Sequence, residues 1–168
     1  MAETIDNNVR RLIINESPVD PAYYEKLSKL LDALIEQRRK GALDYRQYLE
    51  QIAALTAQAK KPGGSAGGYP KGITTVAQRA LYNNLGKKAP DLALAVDAAV
   101  KASLMDGWRE SAIKTRKVRL AIRHVLGTEY PADQHQQAQQ PGASGSVPPH
   151  LEAETDRILA LVRNQDDY

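Results

Sequence analysis

A chain of 168 residues with a formal net charge of +3 suits one domain, or one domain with a tethered element, and is too weakly basic overall to indicate nucleic-acid binding. It has no cysteine, which excludes disulfide bonds and thiolate metal sites. Its apolar runs are short and broken by charges, and residues 1–11 lack the apolar segment of a secretory signal. We therefore expect no membrane contact and a cytoplasmic location.

Three helices are predicted in the first part of the chain. Apolar residues spaced by three and four predict the first helix over residues 3–15. Asp20 can cap the second helix, with Pro21 at the first helical position, where its missing N–H costs nothing. Asp44 can cap the third helix, and the short connection before it predicts an antiparallel hairpin over residues 21–60. We expect this hairpin at the centre of the helical domain.

Four further helices follow a Gly/Pro-rich loop at residues 61–72. Capping residues, helix-stopping glycines and apolar periodicity define them. In chain order they are a fourth helix from Thr74 or Thr75 to Leu85, ended by Gly86; a fifth from Pro90; a sixth from Ala112 to Leu126, capped by Ser111 and ended by Gly127; and a seventh from about His150 to Asn164.

Residues 128–149, between the sixth and seventh helices, are rich in Gln, Pro and Gly. Such a composition buries too little apolar surface to offset the entropy of ordering, so it predicts a long flexible linker. The predicted organisation is a helical domain over residues 1–127, this linker, and a C-terminal helix within residues 150–168 that docks back onto the bundle. The predicted fold is an all-α helical bundle of about six to seven helices.

Catalytic and metal-binding motifs are absent from the sequence. It has no phosphate-binding loop, no G-x-S-x-G and no H-E-x-x-H, and its three histidines share no ligand spacing. Pro90-Asp91 resembles the start of a metal-dependent nuclease motif. No D/E-x-K tripeptide accompanies it, which favours a simple helix N-terminus. We therefore expect no catalytic residue, metal site or cofactor in this chain.

Tyrosines cluster in the predicted hairpin at Tyr23, Tyr24, Tyr45 and Tyr48. Exposed aromatic rings could stack on nucleic-acid bases. Tyr45 and Tyr48, however, share a helix face with apolar neighbours, which favours packing inside the hairpin instead.

Positive charge is concentrated in the sixth predicted helix and the residues just before it. Residues 109–126 contain six basic residues and one acidic residue. Arg116, Arg119 and Arg123 fall within roughly 60° of one another on a helix, opposite its apolar face, and form a predicted arginine ridge. Guanidinium groups pair bidentately with phosphate or carboxylate, so the ridge could contact a DNA backbone or an acidic protein, or could simply be solvated. The candidate contact residues are Arg109, Arg116, Lys117, Arg119 and Arg123.

Five stretches of the sequence, taken in order, resemble one region of a known family. They are IDNNVRRLIINESPVDPAYYEKLSKLLDALIEQRRKGALDYRQYLEQI, RALYNNLG, DLALAVDAAV, DGWR…IKTRKVRLAI and ILALVRNQDDY. Together they are similar to the C-terminal helical domain of the type I restriction enzyme R subunit (HsdR). The resemblance covers nearly the whole chain except the Gln/Pro/Gly-rich linker.

The resemblance implies a role but no chemistry for this chain. In that family the R subunit is an ATP-dependent DNA translocase and a type I site-specific deoxyribonuclease with ATPase activity. Its nuclease and motor domains, which bind ATP and Mg²⁺, lie upstream of the matched region, so no catalytic residue carries over. The matched domain is expected to join the motor domains to the methyltransferase and specificity subunits, with DNA contact as an additional expectation. The alternative is an independent small helical DNA-binding or regulatory protein.

Overall fold

The computed structural model describes residues 2–61, 68–86, 90–129 and 148–168. These residues contain seven α-helices and no strand, which confirms the predicted all-α fold. Among them, no helix is both long and apolar enough to cross a membrane. The helices are α1 (Ala2–Glu16), α2 (Pro21–Arg39), α3 (Tyr45–Ala59), α4 (Val76–Asn84), α5 (Pro90–Ser103), α6 (Ala112–Glu129) and α7 (Pro149–Arg163).

Side chains predicted as caps define where three of the helices begin. Asp20 caps α2 with a side-chain oxygen that accepts a backbone N–H bond. At α3, Asp44 and Gln47 form the predicted capping box, in which each side chain bonds the other residue's backbone N–H. Thr75 and Gln78 form a second capping box at α4. Each of these caps satisfies backbone donors that have no partner within the first turn of a helix.

Glycines follow the ends of α2 and α4, whereas Gly127 does not end α6 as the sequence predicted. Gly41 and Gly86, with φ of 70° and 90°, follow α2 and α4 in the left-handed conformation that glycine adopts at little cost. Gly127 lies inside α6, which continues to Glu129, so the prediction that it ends the helix was wrong. Packing of α6 against α5 and α7 offsets the low helix propensity of this one glycine.

Residues at both ends of the predicted linker, residues 128–149, belong to helices. Thr128 and Glu129 belong to α6, and Pro149 is the first residue of α7, where proline is well tolerated. The remainder of the predicted linker, residues 130–147, lies outside the described residues.

Buried apolar side chains form two clusters. Helices α1, α2 and α3 share the first, in which Tyr24, Leu31 and Tyr48 are fully buried. Helices α4 to α7 share the second, which includes Val96 and Ile122. The hairpin of α2 and α3 belongs to the first cluster. At its far end, the Tyr24 hydroxyl near the start of α2 donates to the backbone oxygen of Ala59 at the end of α3, at 3.1 Å. The two helices are therefore antiparallel.

One polar contact region joins the two clusters, and we call it the Asp20 junction: Asp20, Asn83 and Asn84. The Asp20 carboxylate, 1% exposed, accepts hydrogen bonds from Nδ2 of Asn83 at 2.7 Å and from Nδ2 of Asn84 at 2.9 Å. Nearby, Nε2 of Gln165 donates to the backbone oxygen of Val19 at 2.6 Å. The turn between α1 and α2 is thus anchored both to α4 and to the segment after α7.

Helix α7 completes the second cluster. It packs against α6 and α4 and buries Ile158 and Val162 completely. Beyond it, the Tyr168 hydroxyl donates to Oδ1 of Asp97 at 2.6 Å, and the backbone oxygen of Tyr168 accepts a bond from Nε1 of Trp108 at 3.2 Å. The last segment of the chain therefore lies against α5 and the turn before α6.

Candidate functional site

Helix α6 carries most of the predicted contact residues, and its packing determines where each one points. Val118, Ile122 and Leu126 are fully buried in the second cluster, against α5 and α7. One face of α6 is thereby turned inward. The remaining residues face either α7 or solvent, and the predicted arginine ridge is divided between these two directions.

Arg119 and Arg123 lie between α6 and α7 instead of on an exposed ridge. Nε of Arg119 donates to Oδ1 of Asp156 at 2.6 Å, and its NH2 donates to Glu152. NH1 of Arg123 donates to Oε1 of Glu152 at 3.2 Å. Arg119 and Arg123 were predicted as candidate contact residues on an exposed ridge, and in the structure their partners are carboxylates on α7 that stand 29 to 37 residues later in the sequence.

The charges in this α6–α7 contact reinforce one another. Hydrogen bonds from Arg119 and then Arg123 lower the pKa of Glu152 below its ordinary value, and the bond from Arg119 lowers the pKa of Asp156. The bonds to Asp156 and Glu152 raise the pKa of Arg119. Arg119, Glu152 and Asp156 are therefore charged at neutral pH, and they form charge-assisted hydrogen bonds within the chain.

Arg109 is likewise used within the chain. Its Nε donates to the backbone oxygen of Arg163 at 3.1 Å, and its NH2 donates to that of Gln165 at 2.6 Å. Its guanidinium carbon lies 5.0 Å from the ring centroid of Trp108. Arg109 thus holds the end of α7 against the turn before α6, a role that its sequence position did not suggest.

Arg116 and Lys117 are the two predicted contact residues that stay exposed. Within the described part of the chain, neither forms an ion pair. The Lys117 ammonium nitrogen lies 3.9 Å from the sulfur of Met105. The basic surface available to another molecule is therefore smaller than the sequence predicted.

Exposed apolar residues accompany these two bases and were not predicted from the sequence. Ile113 is 84% exposed and Leu120 is 40% exposed. Because they are seven residues apart, they lie on nearly the same line along the helix, and Arg116 and Lys117 flank that line. Leu120 is about 160° from the buried Ile122. That phase difference was the signal in the sequence that could have found them.

The outer face of α6 is defined here as Ile113, Arg116, Lys117 and Leu120. Met105, 45% exposed, extends it through its contact with Lys117. Chemically, this face offers an aliphatic centre and two flanking cations. It can bind by apolar burial and charge pairing.

The tyrosine cluster divides between core and surface. Tyr24 and Tyr48 are fully buried, in agreement with the predicted packing. Tyr23 packs edge-on against Tyr24, with ring centroids 5.2 Å apart. Tyr45 is 53% exposed, so the prediction that it packs inside the hairpin was wrong. As the first residue of α3, it stands next to the short connection between α2 and α3.

A buried polar network surrounds Asp97 in α5. Its carboxylate accepts bonds from the hydroxyl of Tyr168, from Nε2 of Gln78 and from Nζ of Lys101 at 2.6 to 2.9 Å. Burial raises the pKa of Asp97, but these three hydrogen bonds together outweigh it, and the pKa lies below its ordinary value. The network links α4, α5 and the end of the chain. Across the described ranges, no group of three or more His, Cys, Asp or Glu residues could hold a metal ion.

Comparison with family models, curated proteins and solved structures found no match to this chain. The support for a function therefore comes from the chain's own residues and contacts.

Proposed function

We propose that this chain is a non-catalytic assembly module, the C-terminal helical domain of a type I restriction enzyme R subunit. In this role it would join the upstream motor domains to the methyltransferase and specificity subunits. ATP and Mg²⁺ would be bound by those upstream domains, and the module would work in the cytoplasm. The proposal begins from the five ordered stretches that resemble that domain.

The observation that best supports the proposal is that these stretches meet through polar contacts. Asp20, in the first stretch, accepts hydrogen bonds from both asparagines of RALYNNLG. Trp108, in DGWR, donates to the last residue of ILALVRNQDDY. Asp97, in DLALAVDAAV, accepts a bond from the side chain of that same Tyr168. The residues that carry the resemblance therefore include several that join distant parts of the fold.

Such contacts are informative because buried polar groups are costly unless they are fully bonded. A satisfied polar network specifies one arrangement of helices more strictly than apolar packing does. A resemblance that includes these joining residues supports a shared helical arrangement more strongly than one confined to exposed positions. It supports membership in a larger assembly because, in the family resembled, this domain is a connecting element.

DNA contact is a second candidate role, favoured by one observation: Arg116 and Lys117 are exposed and lack carboxylate partners among the described residues. Two phosphate contacts predict that log K falls by about 1.8 per decade of salt. Arg119 and Arg123, which would have increased that number, are already bound to α7. An assembly role therefore has the stronger support.

A competition experiment tests the proposal. The folded chain is added in excess to the methyltransferase–specificity core of the same organism, together with the full R subunit. We expect the chain to bind the core and to reduce DNA translocation and cleavage by displacing the R subunit. An unrelated helical bundle of similar size and charge serves as the control. A chain that is helical by circular dichroism but neither binds the core nor competes would contradict the proposal.

A further inference from the structure

We infer that the outer face of α6 binds an acidic amphipathic helix presented by a protein partner. The inference rests on the proposed function for the identity of the protein that carries this helix. The chemistry of the face rests on the residues themselves.

The apolar centre of the face is unusual for an exposed helix surface. Ile113 is 84% exposed, more than any other large hydrophobic residue among those described, and Leu120 lies one heptad further along. Isoleucine is a weaker helix former than the long polar residues that normally occupy such positions. Two exposed aliphatic side chains seven residues apart match the spacing at which one helix packs along another, and Met105 contacts the neighbouring Lys117.

The positive charges on the outer face indicate that the partner is negatively charged. Arg116 and Lys117 project about 60° and 40° to either side of Ile113 on the helix. The nearby turn contains two exposed acidic residues, Asp106 and Glu110, and neither forms an ion pair with these bases. A partner helix that buries Ile113 would bring its own flanking residues against both cations, and carboxylates there would complement them.

The contact between α6 and α7 shows this chemistry within the chain. There, two α6 arginines meet Glu152 and Asp156, which stand four residues apart on α7. The α7 helix also buries apolar side chains, including Ile158, in the cluster that it shares with α6. We expect the partner helix to use the same chemistry on the outer face of α6, with carboxylates beside an apolar stripe.

The occupant is better explained by another protein than by this chain or by DNA. Among the 168 residues, the stretches outside the described ranges contain one acidic residue, Asp133, so their composition does not match an acidic amphipathic helix. A DNA backbone would satisfy Arg116 and Lys117 but offers no apolar counterpart for Ile113. Apolar burial with charged flanks is typical of protein interfaces.

The test uses two probes with the full chain. The first is a synthetic amphipathic peptide with a leucine stripe flanked by glutamates, titrated into ¹⁵N-labelled protein. We expect amide shifts concentrated on residues 113–120 and at least tenfold weaker binding for the variants I113S/L120S and R116E/K117E. Both variants alter exposed side chains, so the fold should persist. The matched controls are I14S and R11E/K26E, which change an exposed isoleucine and two exposed bases on α1 and α2 and should leave binding unchanged.

The second probe is the methyltransferase–specificity core, tested with the same variants. Loss of core binding in I113S/L120S, with the controls unaffected, would support both the interface and the proposed function. Core binding that ignores these substitutions would overturn the interface and leave the function standing. Peptide binding at residues 113–120 without core binding would leave the interface standing and overturn the function.

Two further outcomes would overturn the inference in favour of another occupant. A short DNA duplex that shifts residues 113–120 when the peptide does not would assign the face to nucleic acid. Self-association in sedimentation velocity that I113S/L120S abolishes would assign it to a second copy of this chain. A peptide that binds elsewhere, or with no loss in either variant, would likewise overturn it.

Discussion

Asn83 in α4 donates a hydrogen bond to the Asp20 carboxylate at 2.7 Å, across 63 residues of sequence. The same carboxylate caps α2 and accepts a bond from Asn84. A single side chain therefore begins one helix and joins the two apolar clusters. Because Asp20 is 1% exposed, water cannot replace these partners.

The Asp20 junction predicts a large effect for a small substitution. Asn caps helices about as well as Asp, so Asp20→Asn keeps Oδ1, which accepts from Tyr23 and Asn84, but places an amide NH2 where Oδ2 accepts the bond from Asn83. We expect the free energy of unfolding to fall by about 2 kcal/mol, the cost of leaving buried donors unsatisfied. Asp44→Asn, at the exposed cap of α3, is the matched control and should cost less than about 0.5 kcal/mol. Urea unfolding measures both, and equal losses would contradict a joining role for Asp20.

The α6–α7 ion pairs predict a specific dependence of stability on pH. The pKa values of Glu152 and Asp156 lie below their ordinary values of 4.5 and 3.8 in the folded chain. Their stabilising contribution is therefore complete above those ordinary values and is lost as pH falls through the lowered folded values. We expect E152Q/D156N to lower the melting temperature at pH 7, with the difference from the natural chain shrinking below about pH 4.

The control for this prediction is Asp166→Asn, which removes an exposed carboxylate that forms no ion pair among the described residues. It should not reproduce the pH dependence. Thermal unfolding followed by circular dichroism from pH 2.5 to 7 gives the comparison. A difference that stays constant with pH would show that charge pairing is not what these carboxylates contribute.

Tyr168 should lower the pKa of Asp97 and should also hold residues 164–168 against α5. Its hydroxyl donates to the Asp97 carboxylate, and donated bonds hold that pKa down. Tyr168→Phe removes one donor, so the Asp97 pKa should rise and the free energy of unfolding should fall by about 1.5 kcal/mol. Carboxyl ¹³C shifts followed against pH measure the pKa. Tyr45→Phe, at an exposed tyrosine with no hydrogen bond among those described, should change neither quantity.

Helix starts were predictable from sequence because their signals are local. Asp20, Asp44 and Thr75 act within three residues of themselves, and the geometry of a capped first turn depends little on the rest of the fold. Gly127 shows the limit of such signals. A glycine ends a helix only when no tertiary contact favours continuing the helix. In α6, packing against two other helices favours continuation beyond Gly127.

The candidate site was less predictable because it depends on which helices are neighbours. An arginine ridge and an ion-paired helix contact have the same sequence pattern on α6, and only the position of Glu152 and Asp156 on α7 separates them. Ile113, in contrast, could have been placed on the surface from the sequence. Its phase on the helix marks it as exposed, but an aliphatic side chain belongs to no catalytic or metal-binding motif. Exposed aliphatic groups nonetheless commonly mark interfaces.

The docking of α7 gives the last prediction. Ile158 is fully buried where α7 meets the second cluster, so Ile158→Ala should lower the free energy of unfolding by about 2–4 kcal/mol. That loss is a large share of the roughly 5–15 kcal/mol by which a typical domain is stable, so Ile158→Ala could be largely unfolded. Ile158→Val, with an expected loss of about 1 kcal/mol, provides a variant whose unfolding can still be measured. Ile14→Ala, at a side chain that is 63% exposed, is the matched control and should cost far less. If both isoleucine sites proved equally tolerant in urea unfolding, α7 would not be an integral part of the bundle.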